Sequence, residues 1–250
     1  MPHGGDYTIE SVENALRTLL LLRNNPSFRA IDVATELQVA RSTAHRMVAT
    51  LEKHNFVRRN PDKSFSAGFQ LVELGIAVLG GTDFAAEIQP FLDQLAQRTG
   101  ETAHFLILDR DESVFVAGAE GTHVVRAVVR VGERLPAHAT GAGRVLLAAL
   151  PEADVASLYA DHPLEGGTAH AIRTFDELRD DLVRVRAEGR AINTSHSEEG
   201  LMAVARPVVD ATGTLRGAIS VSGPEWRFAP RLTEVDRLLA ESLAAFAKKV

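Results

Sequence analysis

Two stretches of the 250-residue chain hold residue types whose spacing could do chemistry. The first is basic. Between positions 41 and 63 stand Arg41, Arg46, Lys53, Arg58, Arg59 and Lys63, against only Glu52 and Asp62. Cations clustered in this way can neutralise the phosphates of a polyanion, and arginine adds bidentate contact to guanine. The second stretch is small and nearly neutral: His138-Ala139-Thr140-Gly141-Ala142-Gly143, leading into the apolar segment 145–150. Small residues at a helix start leave backbone N–H groups open and let a ligand approach closely. That makes an anion site without a charged side chain. The segment lacks the longer glycine pattern of nucleotide folds and the lysine of a phosphate loop.

Other chemistries find less support. The chain has no cysteine, which excludes a disulfide framework, thiolate metal sites and a cysteine nucleophile. Its nine histidines are scattered, with no His-x-x-x-His pair, although His138 and His196 stay open as a metal pair in a metal-sensing alternative. A hydrolase with an accessory DNA-binding head is a weaker alternative, because no Gly-x-Ser-x-Gly elbow is present. No catalytic residue, no enzymatic activity and no cofactor are expected.

The elements that must position the basic residues follow from periodicity. Ser11 opens a helical stretch in which Val12, Ala15, Leu16, Leu19, Leu20 and Leu22 recur at helical spacing, and Asn24-Asn25-Pro26 stops it. A shorter helix runs over 32–37, with Asp32 in its first turn, where a carboxylate suits the helix dipole. Gln38-Val39-Ala40 separates it from a third helix over 41–54. There Ala44, Met47, Val48 and Leu51 make one apolar face, which leaves Ser42, His45, Arg46 and Ala49 on the other. This is a helix-turn-helix arrangement. Two short strands about Asn60-Pro61-Asp62-Lys63 follow as a basic wing. Double-stranded DNA is the expected partner. Arg41, Ser42, Thr43, His45 and Arg46 would lie nearest the major groove, and Arg58, Arg59 and Lys63 would reach the backbone.

Charge divides the chain in the same place. Residues 1–70 hold nine Lys/Arg against seven Asp/Glu, whereas the chain as a whole carries a net charge of −6. A small basic head on an acidic body is what a polyanion-binding module joined to something else looks like. We therefore expect a flexible N-terminus over 1–8, a winged helix-turn-helix over 9–70, a linker helix over 71–83 ended by Gly80-Gly81, and a second domain over 84–250. In the body, a long helix over 85–98 contains Pro90 and ends before Gly100. Strands are expected over 103–108, 114–117, 124–131, 202–209 and 215–221. Helices are expected over 143–150, over 175–188 behind the capping box Thr174-Phe175-Asp176-Glu177, and over 238–249. Hairpins with segregated helices argue for α+β with an antiparallel sheet.

The words SVENALRTLLLL, VARSTAHRMVATLEKHNFVRR, LPAHATGAGRVLLAALP and MAVARPVVDATGTLRGAISVSGP, in this order and at these separations, resemble the IclR family of bacterial transcriptional regulators. The resemblance runs from about Tyr7 to the final helix. It implies an N-terminal winged helix-turn-helix (mostly α) and a C-terminal α+β GAF-like sensor domain. It also implies a linker helix that helps pair subunits, and a small organic effector, often a carboxylate or aromatic acid, bound in the C-terminal domain.

Carried over by position, the resemblance assigns effector contacts to Thr140, Gly141, Ala142, Asn193, Ala203, Ser220 and Ser222, with apolar walls from Val124, Ala127, Leu135 and Leu201. The chain departs from the family pattern at several places. Gln38 stands where glycine is usual before the third helix. Ala40 stands where proline or serine is frequent, and it lacks the side-chain cap that serine provides, worth about 1 kcal/mol. Asn193 replaces a frequent Asp, and His196 stands where an acid is usual. The implied assembly is a homodimer or dimer of dimers acting on a pseudo-palindromic operator.

Apolar residues make up 45% of the chain and charged residues 24%, enough apolar surface to exclude a wholly disordered protein. The leucine run at positions 19–22 and the apolar segment 145–150 fall far short of the roughly 20 residues needed to cross a bilayer, so no membrane partner is expected. The opening Met1-Pro2-His3-Gly4-Gly5-Asp6 has neither the basic start nor the apolar stretch of a secretory signal, and a cytoplasmic location is expected.

Overall fold

A computed structural model describes residues 8–23, 25–78, 84–160 and 164–247. The chain divides into two compact units, one up to Phe84 and one from Ala85 onward. The expected flexible N-terminus falls almost wholly, and the Gly80-Gly81 boundary entirely, outside the described residues.

In the first unit, α1 (Glu10–Leu20) and a short 3-10 turn precede α2 (Ala30–Glu36) and α3 (Arg41–Lys53). The Asp32 carboxylate accepts the Arg29 backbone N–H at 2.7 Å, which closes the first turn of α2. Gln38 then adopts φ +53°, the left-handed conformation that turns the chain between α2 and α3. Glycine takes this conformation freely, whereas a side chain there costs about 1–2 kcal/mol. On α3, Ala44, Val48 and Leu51 are buried with Met47 beside them, which bears out the expected apolar face. The wing is β1 (Val57–Arg59) paired antiparallel with β2 (Phe65–Ala67), closed by Asn60 N–H on the Ser64 carbonyl at 2.8 Å. Helix α4 (Phe69–Val78) begins two residues before the expected linker helix.

Helix α1 packs less of its apolar surface than its pattern suggests. Ala15 and Leu19 face the core of the head. Ile9, Val12, Leu16 and Leu20 are all more than half exposed on the opposite side.

The second unit opens with α5 (Phe84–Thr99), which contains Pro90 and is followed by Gly100 at φ +75°, as the sequence indicates. Among the described residues its sheet has six strands in the order β5-β4-β3-β8-β7-β6, with every neighbour antiparallel. These are β3 (Thr102–Asp109), β4 (Glu112–Ala119), β5 (Arg134–Pro136), β6 (Ala191–Thr194), β7 (Leu201–Val209) and β8 (Leu215–Pro224). Helices α6 (Gly141–Ala148), α7 (Glu152–Tyr159) and α8 (Phe175–Glu188) pack on one face. Helix α9 (Glu225–Phe228) and α10 (Leu232–Phe246) close the chain. The α+β class with an antiparallel sheet is therefore as expected. Helix α8 has the predicted capping box, with Thr174 Oγ1 accepting from Glu177 N–H at 3.2 Å and the Glu177 carboxylate accepting from Thr174 N–H at 3.1 Å.

Four details differ. Residues 124–131 form no strand. The place beside β4 is taken by β5 and by Phe115 N–H on the Glu133 carbonyl, so the valine-rich segment crosses as a loop, held by Thr102 Oγ1 on the Ala127 carbonyl at 2.6 Å. The short β5 and β6 and helix α7 carry too few alternating positions to be read from pattern, and none was expected. Helix α6 starts at Gly141 rather than at 143, because Thr140 caps it. Helix α10 starts six residues before the expected 238 and ends at Phe246.

Candidate functional site

The start of α6 is the centre of the body. Every residue of this helix is buried, including Arg144, whose guanidinium donates to Asp181 at 2.9 Å and to the Ile192 carbonyl at 2.6 Å. A charge that deep persists because it is paired and fully hydrogen-bonded. The Ile192 contact ties the helix to β6 one residue before Asn193. Thr140 Oγ1 accepts Gly143 N–H at 2.9 Å and shares a hydrogen bond with Ser113 Oγ at 2.7 Å. Gly143 admits no side chain, since a Cβ there would overlap the Ala137 carbonyl and Ser113 Oγ. At Gly141 a Cβ would meet Ala205 Cβ and Asn193 Cβ at 3.5 Å and the Ala191 carbonyl oxygen at 3.7 Å, which is ordinary contact. The two glycines thus differ: Gly143 admits no Cβ, whereas a Cβ at Gly141 fits in contact with its neighbours. The Gly141 and Ala142 N–H groups have no partner among the described residues.

Gly141 and Ala142 line a cavity of about 270 Å³ between α6 and the sheet, below the size of drug-binding pockets and suited to a small molecule. Of the residues assigned by resemblance, Thr140, Gly141, Ala142, Asn193, Ala203, Ser220, Ser222, Ala127, Leu135 and Leu201 all line it. Strand register explains this convergence: Asn193 pairs with Ala203, Ala203 with Ser222, and Ser220 with His104, so they sit in adjacent rows of one sheet. Val124 does not line the cavity; it is 94% exposed, because its segment is a loop with its side chain turned outward. Thr140 lines the cavity, but its hydroxyl is engaged in the helix cap.

Sequence reasoning missed further lining residues: His104, Phe115, Arg126, Arg130, Ser197 and Glu198. His104 carried a usable signal, a single imidazole in the otherwise apolar strand 103–108. Burial lowers the His104 pKa to about 4, with nearby Arg130 adding to the effect. It is therefore neutral at physiological pH. The two arginines are not free cations. Arg126 pairs with Glu120, and Arg130 with Glu133 and Glu198. His138 and His196 lie outside the cavity lining, and both are held neutral by burial, with pKa values of about 4. Among the described residues, no group of three or more His, Asp or Glu side chains could hold a metal ion.

On the head, Arg41, Ser42, Thr43, His45, Arg46, Arg58, Arg59 and Lys63 are all exposed. Arg58 Nε donates to Ser66 Oγ at 3.0 Å across the wing, and the Arg59 guanidinium lies 5.9 Å from the centre of the Phe65 ring. His45, Arg59 and Lys63 share a groove with Arg29, which the basic count over 41–63 did not include.

Residues 11–61 match the IclR helix-turn-helix domain, and residues 76–250 match the domain described as bacterial transcriptional regulator IclR C-terminal. The chain belongs to the IclR family. It is 33% identical over 216 residues to the HTH-type transcriptional regulator XynR of Escherichia coli, covering 86% of each chain. The crystal structure of the Thermotoga maritima IclR superposes with a TM-score of 0.75 at 26% identity, covering 97% of this chain and 99% of that one. The inducer-binding domain of the PobR transcription factor from Acinetobacter, a double mutant in complex with 3-hydroxybenzoic acid, superposes with a TM-score of 0.61 at 27% identity. That match covers 66% of this chain and 98% of the other. This IclR-family chain is accordingly a transcriptional regulator, with a DNA-binding helix-turn-helix domain and a C-terminal effector-binding domain, and its named relatives are regulators rather than enzymes. No helix among the described residues is long and apolar enough to cross a membrane.

Proposed function

We propose that this regulator binds a small organic carboxylate at the start of α6 and passes its occupancy to a DNA-binding head. The observation that carries the reading is the pair of unpartnered N–H groups of Gly141 and Ala142, two residues that line a cavity whose arginines are already paired with glutamates. A carboxylate is the group those N–H donors accommodate best, because they sit at the positive end of the helix dipole. Ser220 and Ser222 complete the polar side, and Ala127, Leu135 and Leu201 the apolar one. The PobR domain, bound to a hydroxybenzoic acid, supports an acid in the equivalent domain.

In the head, Arg41, Ser42, Thr43, His45 and Arg46 enter the major groove, and Arg58, Arg59 and Lys63 hold the backbone. The protein acts as a homodimer or dimer of dimers. The exposed stripe of Ile9, Val12, Leu16 and Leu20 on α1 supports this, since a row of that kind is ordinarily covered by a partner. As a DNA-binding regulator it works in the cytoplasm, with helix α4 as the linker between head and body. The test uses Arg46→Ala and Arg58→Ala on a mapped operator and on random duplex, across a salt titration. The first costs about 1–3 kcal/mol and relaxes sequence preference, while the second weakens all duplexes alike and reduces the salt slope by about one. Unchanged binding by both variants overturns the docking.

A further inference from the structure

The cavity has a buried side and an exposed one. On the buried side stand α6 and the sheet rows that carry Asn193, Ala203 and Ser222. On the exposed side stand two loops, 124–131 and 195–200. The first lines it with Val128 and Arg130, the second with Ser197, Glu198 and Glu199. Val128 is 58% exposed and the Glu198 side chain 44%, whereas Ala203 is 4% exposed. A molecule arriving from water therefore meets the loops first.

Each loop is pinned at its base. In the first, Arg227 holds Glu101 at 2.8 Å and donates to the Val125 carbonyl at 2.9 Å, and Thr102 Oγ1 donates to the Ala127 carbonyl at 2.6 Å. Past Ala127 the chain runs to Gly132, which turns it at φ +88° and donates its N–H to the Phe115 carbonyl at 2.8 Å. In the second loop, Ser195 N–H donates to the Leu201 carbonyl at 2.8 Å, and Gly200 N–H to Ser195 Oγ at 3.0 Å. Ser195 at φ +57° and Gly200 at φ +72° turn the chain at its two ends. Arg130 and Glu198 lie between these pins, one on each loop. They form an ion pair from loop to loop. Arg130 has a second partner on its own side, Glu133 at 2.8 Å, so its charge stays paired when Glu198 leaves. Glu198 keeps nearly half of its side chain in water and gives up little hydration to pair. Ion pairs this exposed are weak and part readily.

We infer that Arg130 and Glu198 form a latch that joins the two loops over the cavity and sets how fast a small molecule enters and leaves it. This rests on the reading of the cavity as the effector site but not on the class of effector. Access is measured without any effector, so the latch and the carboxylate reading fail separately.

The chain has no cysteine, so a single introduced thiol reports access to one place. Ala203→Cys puts it on the buried side of the cavity. Val204→Cys, the next residue of β7 and buried on the other face of the sheet, reports opening of the body as a whole. Each full-length protein is labelled with methyl methanethiosulfonate at low ionic strength, and the reaction is followed by mass spectrometry. Added to Ala203→Cys, Glu198→Gln and Arg130→Gln should each speed labelling about two- to fivefold, the range for a partly exposed ion pair. Both together should do no more than either alone, since they break the same contact. Labelling of Val204→Cys should stay slow throughout. Salt should speed labelling of Ala203→Cys, and no longer do so once Glu198→Gln is present. Unchanged rates in both single variants, or a double variant whose acceleration is the product of the two, overturn the latch. If the variants speed Val204→Cys as much as Ala203→Cys, they have loosened the whole body, and the salt series on Ala203→Cys alone then decides. No acceleration by salt in that series overturns the latch.

Discussion

Two substitutions two residues apart separate ligand contact from packing. Gly141→Val places a branched side chain where the effector approaches, yet its Cβ makes only ordinary contact with Asn193 and Ala205 at 3.5 Å. Blocking two N–H groups that receive a carboxylate removes hydrogen bonds worth about 1.5–3 kcal/mol each. The combined loss of about 3–6 kcal/mol weakens effector binding by about a hundredfold to ten-thousandfold. The Cβ itself fits, but the two methyls beyond it press on atoms already in contact, so a cost of about 1–3 kcal/mol is expected and the melt is read beside the response. Gly143→Ala touches packing alone. Its methyl overlaps the Ala137 carbonyl and Ser113 Oγ, and overpacking of this kind costs about 1–3 kcal/mol. At about 2–4 °C per kcal/mol for a domain of this size, it melts several degrees below wild type. Differential scanning calorimetry gives the melts, and operator-binding anisotropy with and without effector gives the response. DNA affinity without effector should change little for Gly141→Val, since only the differential binding of effector to the two states couples the sites. A normally folded Gly141→Val protein that responds to effector at unchanged concentration refutes the placement.

The head has two correctable positions: Gln38→Gly relieves the φ of +53° and Ala40→Ser supplies the missing cap on α3, each raising its stability by about 1 kcal/mol in a chemical melt. The body should lose stability on mild acidification. His104 has a folded pKa of about 4, below its ordinary 6.5, so the unfolded chain takes up a proton that the folded one excludes. Its contribution is complete above pH 6.5 and falls by about 1.4 kcal/mol per pH unit down to pH 4; urea melts of wild type and His104→Phe at pH 5 and 7 measure it. Residues 84–250 expressed alone should give one cooperative melt and bind effector, because the chain separates into compact units at this boundary. An aggregated fragment counts against an autonomous body.

The head was legible because its signals are local. Helical spacing on α3 and the turn residues of the wing each lie within a few consecutive positions, and the structure places them where the pattern does; the capping box of α8, in the body, is local in the same way. Among the strands of the body, only the long ones were legible. The segment 124–131 reads as a strand because valines recur at short intervals, yet whether a β-prone segment pairs depends on a free neighbour, and β5 occupies that position. Strand β6, only four residues long, owes its place to β7 rather than to its own propensity.

The cavity shows the same division between local and non-local information. Gly141 and Ala142 announce an anion site through sequence alone, because a helix start is a local object. What the ligand must carry besides its charge is decided elsewhere. Asn193, Ser222 and His104 come from strands far apart in the chain, and only the pairing of β6 with β7, β7 with β8 and β8 with β3 aligns them. Register then settles which atoms meet the ligand, since a one-residue slip in β3 turns His104 to the opposite face and puts Ala103 or Phe105 in its place.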